Sequence, residues 1–295
     1  MSRSLRSIFT DRVMRVLLVG AASTSVLIVG LIFLFLFKEA GPFVLKPGLA
    51  KLFDSQWIPV SFQQERYGVG PLLSGSALVT LLAMVITVPT SVLIAIYIAE
   101  IARPMEREWL KPFIEILASI PSVVLGFFGL IVVAPLVKDI FGLSTGLTAL
   151  TGALLLSLMA IPTVISISED ALASVPYALK NASLALGASH LQTIFRVTLP
   201  AALPGIVAAV MLGIGRVIGE TMAVLMVTGN SAIVTFSPLE SVRTMTATIA
   251  AEMGEVPFGS VHYQSLFWIG IILLFITFIL NIIAQRVLKK YGMMK

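Results

Sequence analysis

The chain has 295 residues, of which 58% are hydrophobic and 12% charged, where about 25% charged is usual for a soluble domain. It contains no cysteine, which excludes disulfides, thiolate chemistry and cysteine-bound metal. The formal charge of +5 reads as lysine and arginine anchoring one side of a membrane rather than as a nucleic-acid footprint.

Taken in order, the apolar runs predict an all-α integral membrane protein with six transmembrane helices. The spans are 16–37, 71–98, 112–137, 147–168, 201–227 and 265–287, each long enough to cross ~30 Å of hydrocarbon. Arginines precede the first run, as in a signal peptide, but the run exceeds the about 7–15 residues of a signal core and lacks a clear exit site, so it reads as a retained span. Thirteen basic residues, among them Arg3, Arg103, Arg107, Lys111, Lys180 and Lys295, fall on one side and six on the other. Both termini are therefore expected in the cytoplasm. This divides the chain into an N-terminal part with the first helix and an external loop (1–70), a helical domain (71–287) and a short cytoplasmic tail (288–295). Pro89, Pro121, Pro162 and Pro204 interrupt spans and predict local bends.

Between the fourth and fifth spans the cytoplasmic segment 169–200 contains NASLALGASHLQTIFRVTLP, from Asn181 to Pro200. The segment reads as a short amphipathic helix pair lying against the membrane, with Leu184, Ala188, Leu191 and Phe195 at helical spacing giving one apolar face. Gly187 permits a turn without steric penalty, and Pro200 suits the first turn of the next helix. Two readings are open: an interfacial connector, or a socket for a cytoplasmic partner.

This stretch resembles the coupling loop of binding-protein-dependent ABC importer permeases, whose signature is E-A-A, three residues, G, nine residues, I-x-L-P. Ala182, Gly187, Val197, Leu199 and Pro200 stand at motif positions, Ser183 replaces the second alanine, and Asn181 replaces the glutamate. IPSVVLGFFGL (from Ile120), GRVIGETMAVLMVTGN (from Gly215) and VRTMTATIAAEMGEVPFGSVHY (from Val242) look like permeases of the phosphate-specific transport system, of the PstC type. SQWIPV (from Ser55) and YGVGPLLSGS (from Tyr67) match the pattern of that subunit's first external loop. The resemblance implies the type I importer permease fold and a bacterial inner-membrane location. It also implies three partners: a homologous PstA-like permease, a PstB-like ATPase dimer, and an external PstS-like phosphate-binding protein.

The fifth span carries Arg216 and Glu220 in GIGRVIGETM. Charges at mid-membrane cost roughly 2.5–3.5 kcal/mol each on insertion scales, so they seek a partner or a polar cavity. On a continuous helix, i and i+4 would share a face and pair. One reading is a structural ion pair. The other is an anion path, with Glu220 holding Arg216 until phosphate passes; the resemblance implies a role for both in phosphate movement. Gly215 and Gly219 form a small-xxx-small pattern suited to close helix approach.

Other polar residues carry less. Glu115 reads as interfacial; Glu169 and Asp170 read equally as a solvated helix end or as contacts for an ATPase. His190 and His262 fall on opposite sides, so no shared metal site is expected, and no cofactor is. Trp57, Pro59, Tyr67, Pro257 and Phe258 read either as external packing or as a docking surface. No G-x-x-x-x-G-K-[ST] loop occurs, so ATP hydrolysis is expected in another polypeptide. A self-sufficient anion channel or proton-coupled carrier leaves the coupling segment unexplained and lacks the related halves common in carriers. A permease for another oxyanion, molybdate or sulfate, remains open.

Overall fold

Backbone polar groups in hydrocarbon must be satisfied within the segment, which selects helices. The computed structural model describes residues 5–290; Arg3, Lys295 and the end of the expected tail lie outside them. The long elements are α1 (Leu5–Leu45), α2 (Gly70–Ile96), α3 (Pro104–Ser119), α4 (Ser122–Phe128), α5 (Ala134–Phe141) and α6 (Ala149–Ala173). They are followed by α7 (Tyr177–Ala185), α8 (His190–Thr193), α9 (Leu199–Gly219), α10 (Met222–Val227), α11 (Met245–Glu252) and α12 (Val261–Lys290). Three π-helical turns, Tyr97–Ile101, Gly129–Val133 and Ile194–Thr198, extend α2, join α4 to α5, and join α8 to α9.

Six stretches are long and apolar enough to cross a membrane: Val13–Leu45, Gly70–Ile101, Ser122–Phe141, Ala149–Ala173, His190–Gly219 and Val261–Arg286. Three agree with the sequence reading to within about five residues at each end, and the first runs on to Leu45, eight residues past its expected end. Two differ for physical reasons. The third span starts at Ser122, not near residue 112, because Pro121 forces Ile120 into an extended conformation (φ −63°, ψ 126°). The residues before that break form α3, a separate helix with Met105, Trp109, Phe113 and Ile116 exposed and Ile114 buried. The fifth span starts at His190 rather than near residue 201, because α8 runs through the π-helical turn into α9, and it stops at Gly219, whereas the sequence predicted helix to residue 227.

Helix α6 is the centre of the fold, held between α2 and α9. Val79 and Ala83 of α2, Ala153 and Ala160 of α6, Val217 of α9 and Val224 of α10 form one buried cluster. A second, nearer the coupling segment, gathers Ile98, Ile114, Leu172, Ile194 and Ile206. The approach of α9 to α6 depends on Gly213, where a Cβ would lie 2.6 Å from Val164 Cγ2. Gly215 and Gly219 face open space instead, so their small-residue pattern is unused within this chain. Helix α1 rests mainly on α12, through an edge-on Phe35–Phe267 pair and a 2.8 Å bond from Trp268 Nε1 to the Ala40 carbonyl.

On the external side, β1 (Trp57–Ile58) pairs antiparallel with β2 (Arg66–Tyr67). Trp57 and Tyr67 are buried, packing against Phe43, Leu72 and Leu266. The carboxylate of Glu252 accepts from Trp57 Nε1 at 3.2 Å and from Arg243 at 2.7 Å, and lies 2.8 Å from His262 Nε2. One carboxylate thus ties the hairpin, the segment before α11 and the start of α12 together. Burial, then the bond to Glu65, pushes the Tyr67 hydroxyl far above its ordinary pKa. Trp57 and Tyr67 are accordingly packing residues. Pro59 and Pro257 line a cleft of ≈ 370 Å³ and Phe258 stands exposed beside them.

Candidate functional site

Two regions hold the residues singled out by sequence. The first is the break after α9. Arg216 lies in the last turn of that helix with its guanidinium exposed, and Nη1 donates to Thr163 Oγ1 of α6 at 3.1 Å. An arginine side chain has five N–H donors, and this is the one side-chain hydrogen bond Arg216 makes among the described residues.

Glu220 does not pair with it. The i, i+4 expectation requires both residues in one helix, and Glu220 is extended (φ −70°, ψ 135°) just past the helix end. Its carbonyl accepts from Thr246 Oγ1 at 2.8 Å, and its carboxylate faces the Ala223 N–H of α10 at 3.4 Å. The backbone is thus held by α11 and α10 rather than by another turn of α9. The two charges flank the break at the end of α9, each with its own support.

The second region is the coupling segment. Helix α7 ends in a reversal at Gly187, whose φ of +85° favours glycine. Gly187 N–H donates to the Leu184 carbonyl at 2.9 Å and Ala188 N–H to that of Ser183 at 3.3 Å. Ser189 and Gln192 then form a reciprocal cap on α8. Leu184 lies on α7 and Leu191 on α8, either side of the reversal, as a helix pair turning at Gly187 would place them. Leu184, Leu191 and Phe195 are exposed, with Tyr177, Leu179 and Leu186 beside them, while Ala188 is half-buried. Ala182 and Pro200 are exposed and Leu199 is half-buried against the inner cluster. Ser183 Oγ meets Thr193 Oγ1 at 2.9 Å and fastens the two arms together.

Sequence reasoning missed what holds this segment. Glu100, in the π-helical turn that extends α2, is 2.6 Å from Lys180 Nζ, with side-chain exposures of 6% and 13%. The same residue's carbonyl lies 3.1 Å from His190 Nε2, so Glu100 grips α7 by its side chain and α8 by its backbone. Glu169 is not a solvated helix end: it is buried and 2.8 Å from Lys111 of α3. A charged residue closing an apolar run looks identical in sequence whether it faces water or a partner. Thr163, one residue after Pro162, had only its polarity within a span to mark it.

A family model described as the binding-protein-dependent transport system inner membrane component matches residues 91–292. The chain belongs to this family. Among curated relatives of this transport family, a probable ABC transporter permease protein YqgH of Bacillus subtilis is 41% identical over 229 residues, 78% of this chain and 74% of that protein. A phosphate transport system permease protein PstC of Mesorhizobium japonicum is 32% identical, covering 97% of this chain and 92% of its own length. The fold also resembles solved importers. A chain of a bacterial alginate ABC transporter aligns with a TM-score of 0.61 over 98% of this chain and 99% of its own, at 16% identity. A chain of the MetNI methionine transporter, in inward-facing form, aligns with a TM-score of 0.57 over 76% of this chain and 94% of its own, at 21% identity. The binding-protein-dependent permease is thus a multi-pass inner-membrane component with the importer permease fold.

Proposed function

We propose that this chain is the PstC-type permease subunit of an ATP-driven inorganic phosphate importer, carrying no chemistry of its own. It forms the path with a homologous PstA-like permease, docks a PstB-like ATPase dimer on the exposed leucines of the coupling segment, and receives phosphate from a PstS-like protein on the external side. The permease unit is the part from residue 71 to 287.

The observation that carries this reading is Arg216: a permanent cation in a membrane span, exposed, with four of its five N–H donors uncommitted among the described residues. Its planar fork suits phosphate oxygens. Glu220, four residues on and just past the end of α9, adds a negative charge that limits how tightly an anion is held. The resemblance to PstC proteins selects phosphate over other oxyanions.

The test is phosphate uptake by the assembled complex. Arg216→Gln, alone or with Glu220→Gln, assembles with its ATPase and loses uptake by roughly tenfold to hundredfold, the worth of hydrogen bonds to a charged group. Arg216→Lys transports poorly, because a point charge lacks the fork. Near-normal uptake by the double variant makes Arg216 a structural residue. Uptake of molybdate or sulfate in place of phosphate by the unaltered complex refutes the substrate.

A further inference from the structure

Membrane-helix hydroxyls usually turn back onto their own helix, where a backbone carbonyl three or four residues earlier accepts the proton. Several hydroxyls in this chain do so: Thr90 donates to the Ile86 carbonyl at 2.6 Å, Ser157 to that of Leu154 at 2.7 Å, and Thr228 to that of Val224 at 2.9 Å. Thr163, like Ser91, turns to another helix instead. Among the described residues its hydroxyl has one hydrogen bond, accepted from Arg216 Nη1. A hydroxyl that accepts from a guanidinium keeps its own proton to donate.

The placement is built by packing. Gly213 lets α9 close on Val164 of α6, and Arg216, one turn further along α9, then meets Thr163, the neighbour of Val164. Thr163 is half-exposed beside an exposed guanidinium, and Gly215 and Gly219, on either side of Arg216 in the sequence, leave open space next to it. An anion reaching Arg216 therefore arrives within range of a second donor.

We propose that Thr163 is a second oxyanion contact of the path and the positioning residue for Arg216: its oxygen accepts from Nη1 and its O–H donates to an anion oxygen resting on the guanidinium. This rests on the reading of Arg216 as part of an anion path. It adds a requirement that the arginine alone does not carry, because an unheld arginine side chain has many rotamers and a held one presents its fork in a single direction.

The experiment compares Thr163→Val, which keeps the shape and loses the hydroxyl, with Thr163→Ser, which keeps the hydroxyl and loses a methyl. Both are assembled in the full complex, and the maximal rate of phosphate uptake is measured at saturating binding protein, with complex integrity followed by gel filtration. Thr163→Val is expected to lower the rate roughly tenfold or more, and Thr163→Ser to stay within about threefold of the unaltered complex. In an Arg216→Lys background, Thr163→Val should add less than about twofold, since the two groups act on one anion. A valine variant that transports normally overturns the proposal. So does a serine variant as poor as valine in an intact complex, which would assign Thr163 to packing. Failure of the substrate reading shows separately, in the unaltered complex: if that takes up molybdate or sulfate instead, the ratio of valine to serine is read on that anion. A complex that moves no oxyanion overturns both.

Discussion

Replacing Lys180 with methionine would leave the Glu100 carboxylate, 6% exposed, without the ammonium now 2.6 Å away. Removing one partner of a buried pair typically costs 3–5 kcal/mol, because the other charge is stranded. The stranded charge has a local escape: α7 buries none of its own residues, so it can lift from the domain and let water reach Glu100 without unfolding the core. The expected loss is therefore about 3–4 kcal/mol in the closure of the coupling segment, which corresponds to a protection loss of roughly 10²–10³ in amide exchange. The reporters are the N–H groups of Leu186, Gly187 and Ala188, which now donate to the carbonyls of Ala182, Leu184 and Ser183. Hydrogen exchange on the detergent-solubilised complex measures them against amides in α6. Lys180→Met with Glu100→Gln should recover protection to within about tenfold, since a neutral amide in place of the charge removes most of the penalty. Unchanged protection in Lys180→Met would refute the claim that this pair holds the segment down. An equal loss in the single and double variants would attribute the effect to the lysine stem rather than to a stranded charge.

Three further outcomes are expected. Ala188→Glu, placing a charge among Leu184, Leu186 and Leu191, should abolish phosphate uptake and ATPase co-purification while leaving the chain inserted; uptake at more than half the normal rate would make the segment a connector. The Glu106 carboxylate accepts from the Arg103 N–H at 3.0 Å and from the Tyr97 hydroxyl at 3.1 Å, and these bonds hold its pKa below the ordinary carboxylate range. The stability this cap adds to α3 is therefore complete above about pH 4.3 and fades as pH falls through the lowered value; thermal melts of Glu106→Gln should show a flatter acid limb than the unaltered chain. A cysteine at the exposed Ser55 should react with an impermeant reagent added to intact cells, and one at Lys290 should not; the reverse pattern would invert the topology.

The parts legible in the sequence were those determined within a dozen residues. Apolar length sufficed for six spans, and Gly187 placed the reversal; helix resumes at His190, ten residues before Pro200. What escaped depends on residues far apart. The end of α9 is set by Thr246, twenty-six residues beyond Glu220, whose hydroxyl takes a carbonyl that would otherwise continue the helix. Local spacing had no access to that bond, so it put Arg216 and Glu220 on one face. Glu100 and Lys180 are eighty residues apart, and each alone resembles an interfacial charge. Thr163 became visible only when α9 was seen to cross α6 at Gly213.

The isolation of α1 bears on how the chain is made. Its anchor, the bond between Ala40 and Trp268, joins residues 228 positions apart. At a synthesis rate of about 5–20 residues per second, α1 waits roughly 10–45 s in the bilayer before the helix it leans on exists. During that interval it must be stable by its own partition into lipid, with no neighbour from this chain to cover a polar group. The first and last spans are indeed the most apolar of the six, and those built around α6 and α9 the least. The inner helices hold their hydroxyls and charges because neighbours made within the same few seconds receive them; α1, threaded first and joined last, has no such help.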